Sequence, residues 1–148
     1  MPGTVNLHRV LTASPEKIFR AFSEPAAMAS WFPPYGFVCT VDEMNFTEGG
    51  RFKMSFTNFT TGNSNPFGGI YLKIVTNEYL QFSDKFDDPN LPGEMITTVT
   101  LKKVICGTEL IIEQTGIPEM IPVEMCYLGW QESLDKLKRL VEPEIPQP

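Results

Sequence analysis

The stretch PVEMCYLGWQESLDKLKRLVEP, residues 122–143, decides the fold. Val123, Cys126, Tyr127, Trp130, Leu134, Leu137 and Val141 step by three and four, so one wide apolar stripe runs down a single helix. Pro122 suits a helix start, where a missing N–H is no loss, and Pro143 stops the helix. Glu119 and Glu124 lie near the positive end of the helix dipole, and Lys136, Lys138 and Arg139 near the negative end. Glu132 with Lys136, and Asp135 with Arg139, are i,i+4 pairs with the acid first, each worth about 0.2–0.5 kcal/mol. A stripe this wide needs an apolar surface to lie on.

Residues 36–116 supply that surface. In 51–59, Phe52, Met54 and Phe56 alternate with Arg51, Lys53 and Ser55. In 79–86, Leu80, Phe82 and Phe86 share one phase. A period of two marks half-buried strands. Further strands are predicted over 37–46, 69–76, 95–105 and 108–115. Between them lie turn signals: Glu48-Gly49-Gly50, the polar stretch TTGNSNPFGG (60–69), Asn77-Glu78, DDPNLPGE (87–94) and Cys106-Gly107. Six strands joined by short turns make an antiparallel meander.

Residues 4–12 read as a first strand. Ser14-Pro15 then caps and opens a short helix carrying Ile18, Phe19 and Phe22, which stops near Ser23. A second short helix runs from Pro25 to about Trp31, where Pro33-Pro34 ends it. The fold class is therefore α+β: an antiparallel sheet of about seven strands, two short helices after the first strand, and a long final helix. One curved sheet face can bury the helix stripe and leave a cavity between the two.

Composition agrees with this class. The chain has 148 residues, 42% of them hydrophobic and 20% charged, which fits one domain over 1–148 with a core of about 5–142. Its 18 acidic and 12 basic residues give a net charge of −6, without the basic stripe of a nucleic-acid binder. No run of 18 apolar residues predicts a membrane span, and the first 20 residues lack a signal-peptide core. A cytoplasmic domain is expected. Cys39, Cys106 and Cys126 form no C-x-x-C pair, so they read as small buried hydrophobes rather than as disulfide or zinc ligands.

Little in the sequence carries bond-making chemistry. His8 is the one histidine; it sits on the first strand and reads as a surface residue. No nucleophile elbow and no dinucleotide fingerprint occurs. No catalytic residue, metal ligand or cofactor is therefore expected. Asp84 is in phase with Leu80, Phe82 and Phe86, which aims it at the cavity, where desolvation would raise its pKa. Asp87 and Asp88 follow at once, and this favours a strand end already in water. Gln114 is in phase with Leu110 and Ile112 and could present an amide inward, although a strand-end polar residue is the plainer reading. Tyr71 could offer a phenol, but Ile70, Leu72 and Ile74 compete for its phase.

The ordered segments ASPEKIFRAFSEPAAMASWF, GGRFKMSF, GGIYLKIVTNEYLQF, TTVTLKKVICGTELIIEQTG and GWQESLDKLKRLVE span most of residues 7–142. In that order they resemble the START-like (SRPBCC, Bet v 1-like) superfamily, and within it the activator of Hsp90 ATPase homologue 1-like family. Members often carry an acid-x-Arg pair before the Gly-Gly turn. Asn45 and Thr47 stand there in this chain, so no role of that pair carries over.

The resemblance implies a helix-grip fold and a cavity between the long helix and the sheet. Most of the aromatic residues are expected to be packed core. Strand phase and resemblance together nominate Trp31, Phe32, Met54, Phe56, Tyr71, Phe82, Asp84, Gln114, Tyr127 and Trp130 as the ligand-binding set. The leading functional expectation is non-catalytic binding of a hydrophobic or aromatic small molecule. The alternatives are an Hsp90-type co-chaperone and a cyclase-like enzyme using the same cavity. An edge strand or the outer sheet face leaves homodimerisation open.

Overall fold

A computed structural model describes residues 2–148. In chain order it has β1 (Gly3–Leu11), α1 (Pro15–Ser23), α2 (Pro25–Trp31), β2 (Phe37–Met44), β3 (Arg51–Asn58), β4 (Ser64–Val75), β5 (Tyr79–Phe86), β6 (Met95–Val104), β7 (Gly107–Ile117) and α3 (Val123–Val141). The strands form one antiparallel sheet in the order β1-β7-β6-β5-β4-β3-β2. Strands β2 to β7 are the expected meander, and β1 pairs with β7 at one edge. This is the α+β helix-grip arrangement expected from the sequence.

Local chemistry sets most boundaries. The hydroxyl of Ser14 accepts from the Lys17 N–H at 3.2 Å and caps α1, with Pro15 in the first turn. Asn77 takes the left-handed conformation, φ 67°, that closes the β4–β5 hairpin in three residues. Strand β4 starts at Ser64, five residues before the predicted start, and this corrects the reading of 60–69 as turn throughout. Ser64, Pro66 and Phe67 pair with Thr57, Ser55 and Met54, so a partner strand overrides a polar, glycine-rich sequence. The glycines there have a packing reason: a Cβ on Gly69 would run into the Ser83 carbonyl. The Ser83 hydroxyl accepts from the Ile70 N–H at 3.1 Å.

The core lies between the inner sheet face and the three helices. It includes Leu7, Leu11, Ile18, Phe22, Val99, Leu110, Leu134, Leu137 and Val141. Trp31 is fully enclosed there, its Nε1 donating to the Ala21 carbonyl at 2.8 Å and its ring 4.8 Å from Phe22, edge to face. Two of the helix-pair expectations separate here. Asp135 and Arg139 pair at 3.1 Å. Lys136 instead donates to the Pro33 carbonyl at 3.0 Å, and Glu132 accepts from the Tyr35 N–H. With the Tyr35 hydroxyl bonded to Asp135, these contacts tie residues 33–35 to α3. The cysteines also depart from expectation: Cys39 and Cys126 are half-buried and Cys106 is exposed at a hairpin tip. No described helix is long and apolar enough to cross a membrane.

Candidate functional site

Helix α3 meets the sheet differently at its two ends. Its C-terminal half is sealed, with Leu134, Leu137 and Val141 buried. Glu142 then accepts from the Thr12 N–H at 2.9 Å, and Lys17 donates to the Pro143 carbonyl, which fixes that end to the β1–α1 connection. At the N-terminal half, Cys126, Gly129, Trp130 and Ser133 face a cavity of about 560 Å³. Gly129 contributes to the opening, because a Cβ placed on it would meet nothing within 4 Å.

Aromatic rings form one wall. Phe32, just past α2, lies 5.7 Å from Phe56, 6.3 Å from Phe67 and 5.9 Å from Trp130, ring centre to ring centre. Phe56 and Phe67 touch edge to face at 4.7 Å, and Phe37 sits 6.4 Å from Phe56. The sheet adds Asp84 and Phe86 from β5, Met95 from β6 and Gln114 from β7. Asp87, Asp88, Pro89 and Leu91 border the mouth. Among the described lining residues there is no Lys, Arg or His.

The buried polar groups are mostly spoken for. Trp130 Nε1 donates to Gln114 Oε1 at 3.0 Å, and Gln114 Nε2 donates to Thr97 Oγ1 at 3.3 Å. The Ser133 hydroxyl donates to the Phe32 carbonyl at 2.7 Å. Asp84 is the exception. It is 7% exposed, and its Oδ1 has no hydrogen-bond partner among the described residues. Burial pushes this carboxyl up to about 7, against a smaller opposing pull from the Lys85 backbone N–H.

A solvated Asp84 is therefore corrected. The β-ladder does not end at this residue. Phe67 still pairs with Phe86, and the Asp87 N–H reaches the Pro66 carbonyl at 3.1 Å. Gln114 likewise proves to be buried rather than a wet strand end: β7 is paired on both edges at this residue, and Trp130 of α3 lies over its side chain.

Of the ten nominated residues, Phe32, Phe56, Asp84, Gln114 and Trp130 come together on the cavity wall. The other five lie elsewhere. Trp31 is in the core beneath α1. Met54, Tyr71 and Phe82 pack with Phe52 around a void of about 10 Å³, on the scale of one water. Burial raises the Tyr71 phenol well above its ordinary value. Tyr127 turns toward β1, where its hydroxyl accepts from the Asn6 N–H at 3.2 Å. Phase alone could not separate these groups, because the inner sheet face is longer than the cavity. Phe67, Gly129 and Ser133 were not foreseen as lining. Phe67 falls in the stretch read as turn, whereas a glycine inside a helix is a signal that could have been used.

His8 is exposed, its Nε2 3.0 Å from Glu109 Oε2. No group of three or more His, Cys, Asp or Glu among the described residues could hold a metal ion.

Comparison with known proteins gives a family and a fold. The family described as "Activator of Hsp90 ATPase homolog 1-like protein" matches residues 12–142. Protein CV1439 from Chromobacterium violaceum is 53% identical, with a TM-score of 0.95 over 97% of this chain and 100% of that one. A Rhodobacter sphaeroides protein is 20% identical, with a TM-score of 0.82 over 94% and 95% of the two chains. An AHSA1-like protein from Aeromonas hydrophila is also 20% identical, with a TM-score of 0.78 over 95% and 92%. At that identity, these last two speak to the fold alone. No curated protein matches the chain.

Proposed function

The chain belongs to the Activator of Hsp90 ATPase homolog 1-like family, and on that premise we propose that it binds a hydrophobic or aromatic small molecule between α3 and the sheet. The molecule leaves chemically unchanged. One observation carries this reading: a cavity of about 560 Å³ with an aromatic wall and one unpaired buried carboxylate oxygen. Small-molecule sites occupy roughly 300–1,000 Å³ and combine apolar walls with a few placed polar groups. Each 100 Å² of apolar ligand surface taken from water contributes about 2.5 kcal/mol before the costs of association. The bound Gln114–Trp130 pair holds one wall in a fixed shape and reduces those costs.

A thermal-shift screen of fatty acids, flavonoids, aromatic acids, aromatic amines and polyketides tests it. A ligand that binds only the native state at a hundred times its Kd stabilises by about 2.7 kcal/mol, a shift of several degrees. Gly129→Leu, which projects a side chain into the cavity, should abolish that shift without unfolding the protein. No shift across the library from a folded sample overturns the reading and turns attention to Hsp90 binding.

The buried Asp84 favours a second reading, a cyclase-like enzyme. With a carboxyl near neutrality, it could take or give a proton beside a bound substrate. If so, Asp84→Asn abolishes turnover of a bound polyketide while leaving its binding intact.

A further inference from the structure

We propose that the cavity's ligand is a lipophilic amine, with an apolar body against Phe32, Phe56, Phe67 and Trp130 and a protonated nitrogen donating to Oδ1 of Asp84. This rests on the reading that the cavity binds a small molecule, and it names the class.

The buried strong donors on the cavity wall are already engaged: the indole of Trp130 with Gln114, the amide of Gln114 with Thr97, and the hydroxyl of Ser133 with the Phe32 carbonyl. The buried group left over is an acceptor, Asp84 Oδ1. Ionised, this oxygen can only accept, so the polar head that satisfies it is one that donates.

Charge narrows the class further. Three carboxylates border the cavity, with Asp84 inside and Asp87 and Asp88 at the mouth, and no basic side chain balances them there. Asp87 has a distant partner in Lys53, at 3.9 Å, and both side chains are more than half exposed. An anionic ligand would meet Asp84 with nothing to offset it. A neutral hydroxyl could be served by an amide, and Gln114 shows that the sheet can bury one. A carboxylate with one oxygen left unpartnered is an unfavourable thing to bury, and an ammonium group relieves it. The aromatic wall adds to this preference, because ring faces attract cations most strongly where water is excluded. Outside, the acidic mouth concentrates cations at the entrance.

The test uses three probes that share one ring system: 1-naphthylmethylamine, 1-naphthylmethanol and 1-naphthoate. Binding to the full chain is measured at neutral pH by titration calorimetry, with the indole Nε1–H resonance of Trp130 locating each probe by NMR. The amine should bind at least about tenfold more tightly than the alcohol, and the naphthoate should bind weakest. In Asp84→Asn the amine's advantage should vanish while the alcohol keeps its affinity. Equal binding of amine and alcohol to the unmodified protein, or tightest binding of naphthoate, overturns the amine assignment and leaves the cavity reading standing. That ranking needs no variant, so it decides even if Asp84→Asn fails to fold. An advantage that survives in a folded Asp84→Asn overturns the role given to Asp84. If none of the three binds, the amine assignment falls, and a silent wider library removes the cavity reading with it.

Discussion

Helix α3 lies on the same sheet at both ends, yet the two ends do different things. At the C-terminal end Leu134, Leu137 and Val141 fill the space completely, and Glu142 and Pro143 are bonded back to Thr12 and Lys17. At the N-terminal end a glycine, a serine and a half-buried cysteine stand where large apolar residues would close the core. The lesson is that one amphipathic helix can hold a fold with half its length and keep a cavity open with the other. Stability and binding should then separate along α3.

Five substitutions sharpen or break that separation. The largest effect is expected at the sealed end. Leu137 is fully buried, and Leu137→Ala should cost about 2–5 kcal/mol in urea unfolding. Phe56→Ala, at the half-buried wall of the open end, should cost only about 1–2 kcal/mol while removing probe binding. Equal costs at the two positions would mean that the cavity is closed in solution.

Asp84→Asn comes next, and its sign depends on pH. The folded carboxyl titrates near 7, above its ordinary value of 3.8, so folding favours the protonated form. The native state binds more protons than the unfolded chain between those values. Its stability is full below the lower one and falls as pH rises through the upper one. Asparagine removes that fall. The variant should match the parent below the ordinary carboxyl value of 3.8 and exceed it at slightly alkaline pH by several kcal/mol, roughly 1.4 kcal/mol for each pH unit between the two values. Urea midpoints across that range check it. A difference that does not change with pH would show Asp84 to be solvated.

Gln114→Leu follows. It leaves the Trp130 N–H buried without an acceptor, which should cost about 1–3 kcal/mol and loosen the Trp130 indole signal in NMR. Gly129→Ala has the smallest effect and the opposite sign. A helix-interior glycine costs about 1 kcal/mol relative to alanine, and the added methyl meets no neighbour. The melting temperature should rise while probe affinity falls. A rise with undiminished affinity would show that ligands do not approach the helix at this point.

Much of the fold was legible in the sequence. Ser14-Pro15, Pro33-Pro34, Asn77 and the two periods of apolar residues act through neighbouring backbone, so a short window contains their cause. The cavity was half legible. Phe56, Gln114 and Trp130 reach its wall as their phase suggests, but Met54 and Phe82 share a phase with residues on the wall and lie in the packed core. Strand phase tells which face a side chain is on and says nothing of how far along the sheet the helix has lifted away.

By itself, then, the sequence determined the elements, their order and the face each one buries, because turns, caps and periodicity are local. Only the tertiary structure decided where the core stops and the cavity begins. It put Phe67 into a strand by giving it a partner, and it carried the β4–β5 ladder beyond Asp84. That extension leaves a buried carboxyl on the cavity wall. Its burial depends on residues distant in sequence, on β4 and α3, and no reading of DKFDD taken alone contains them.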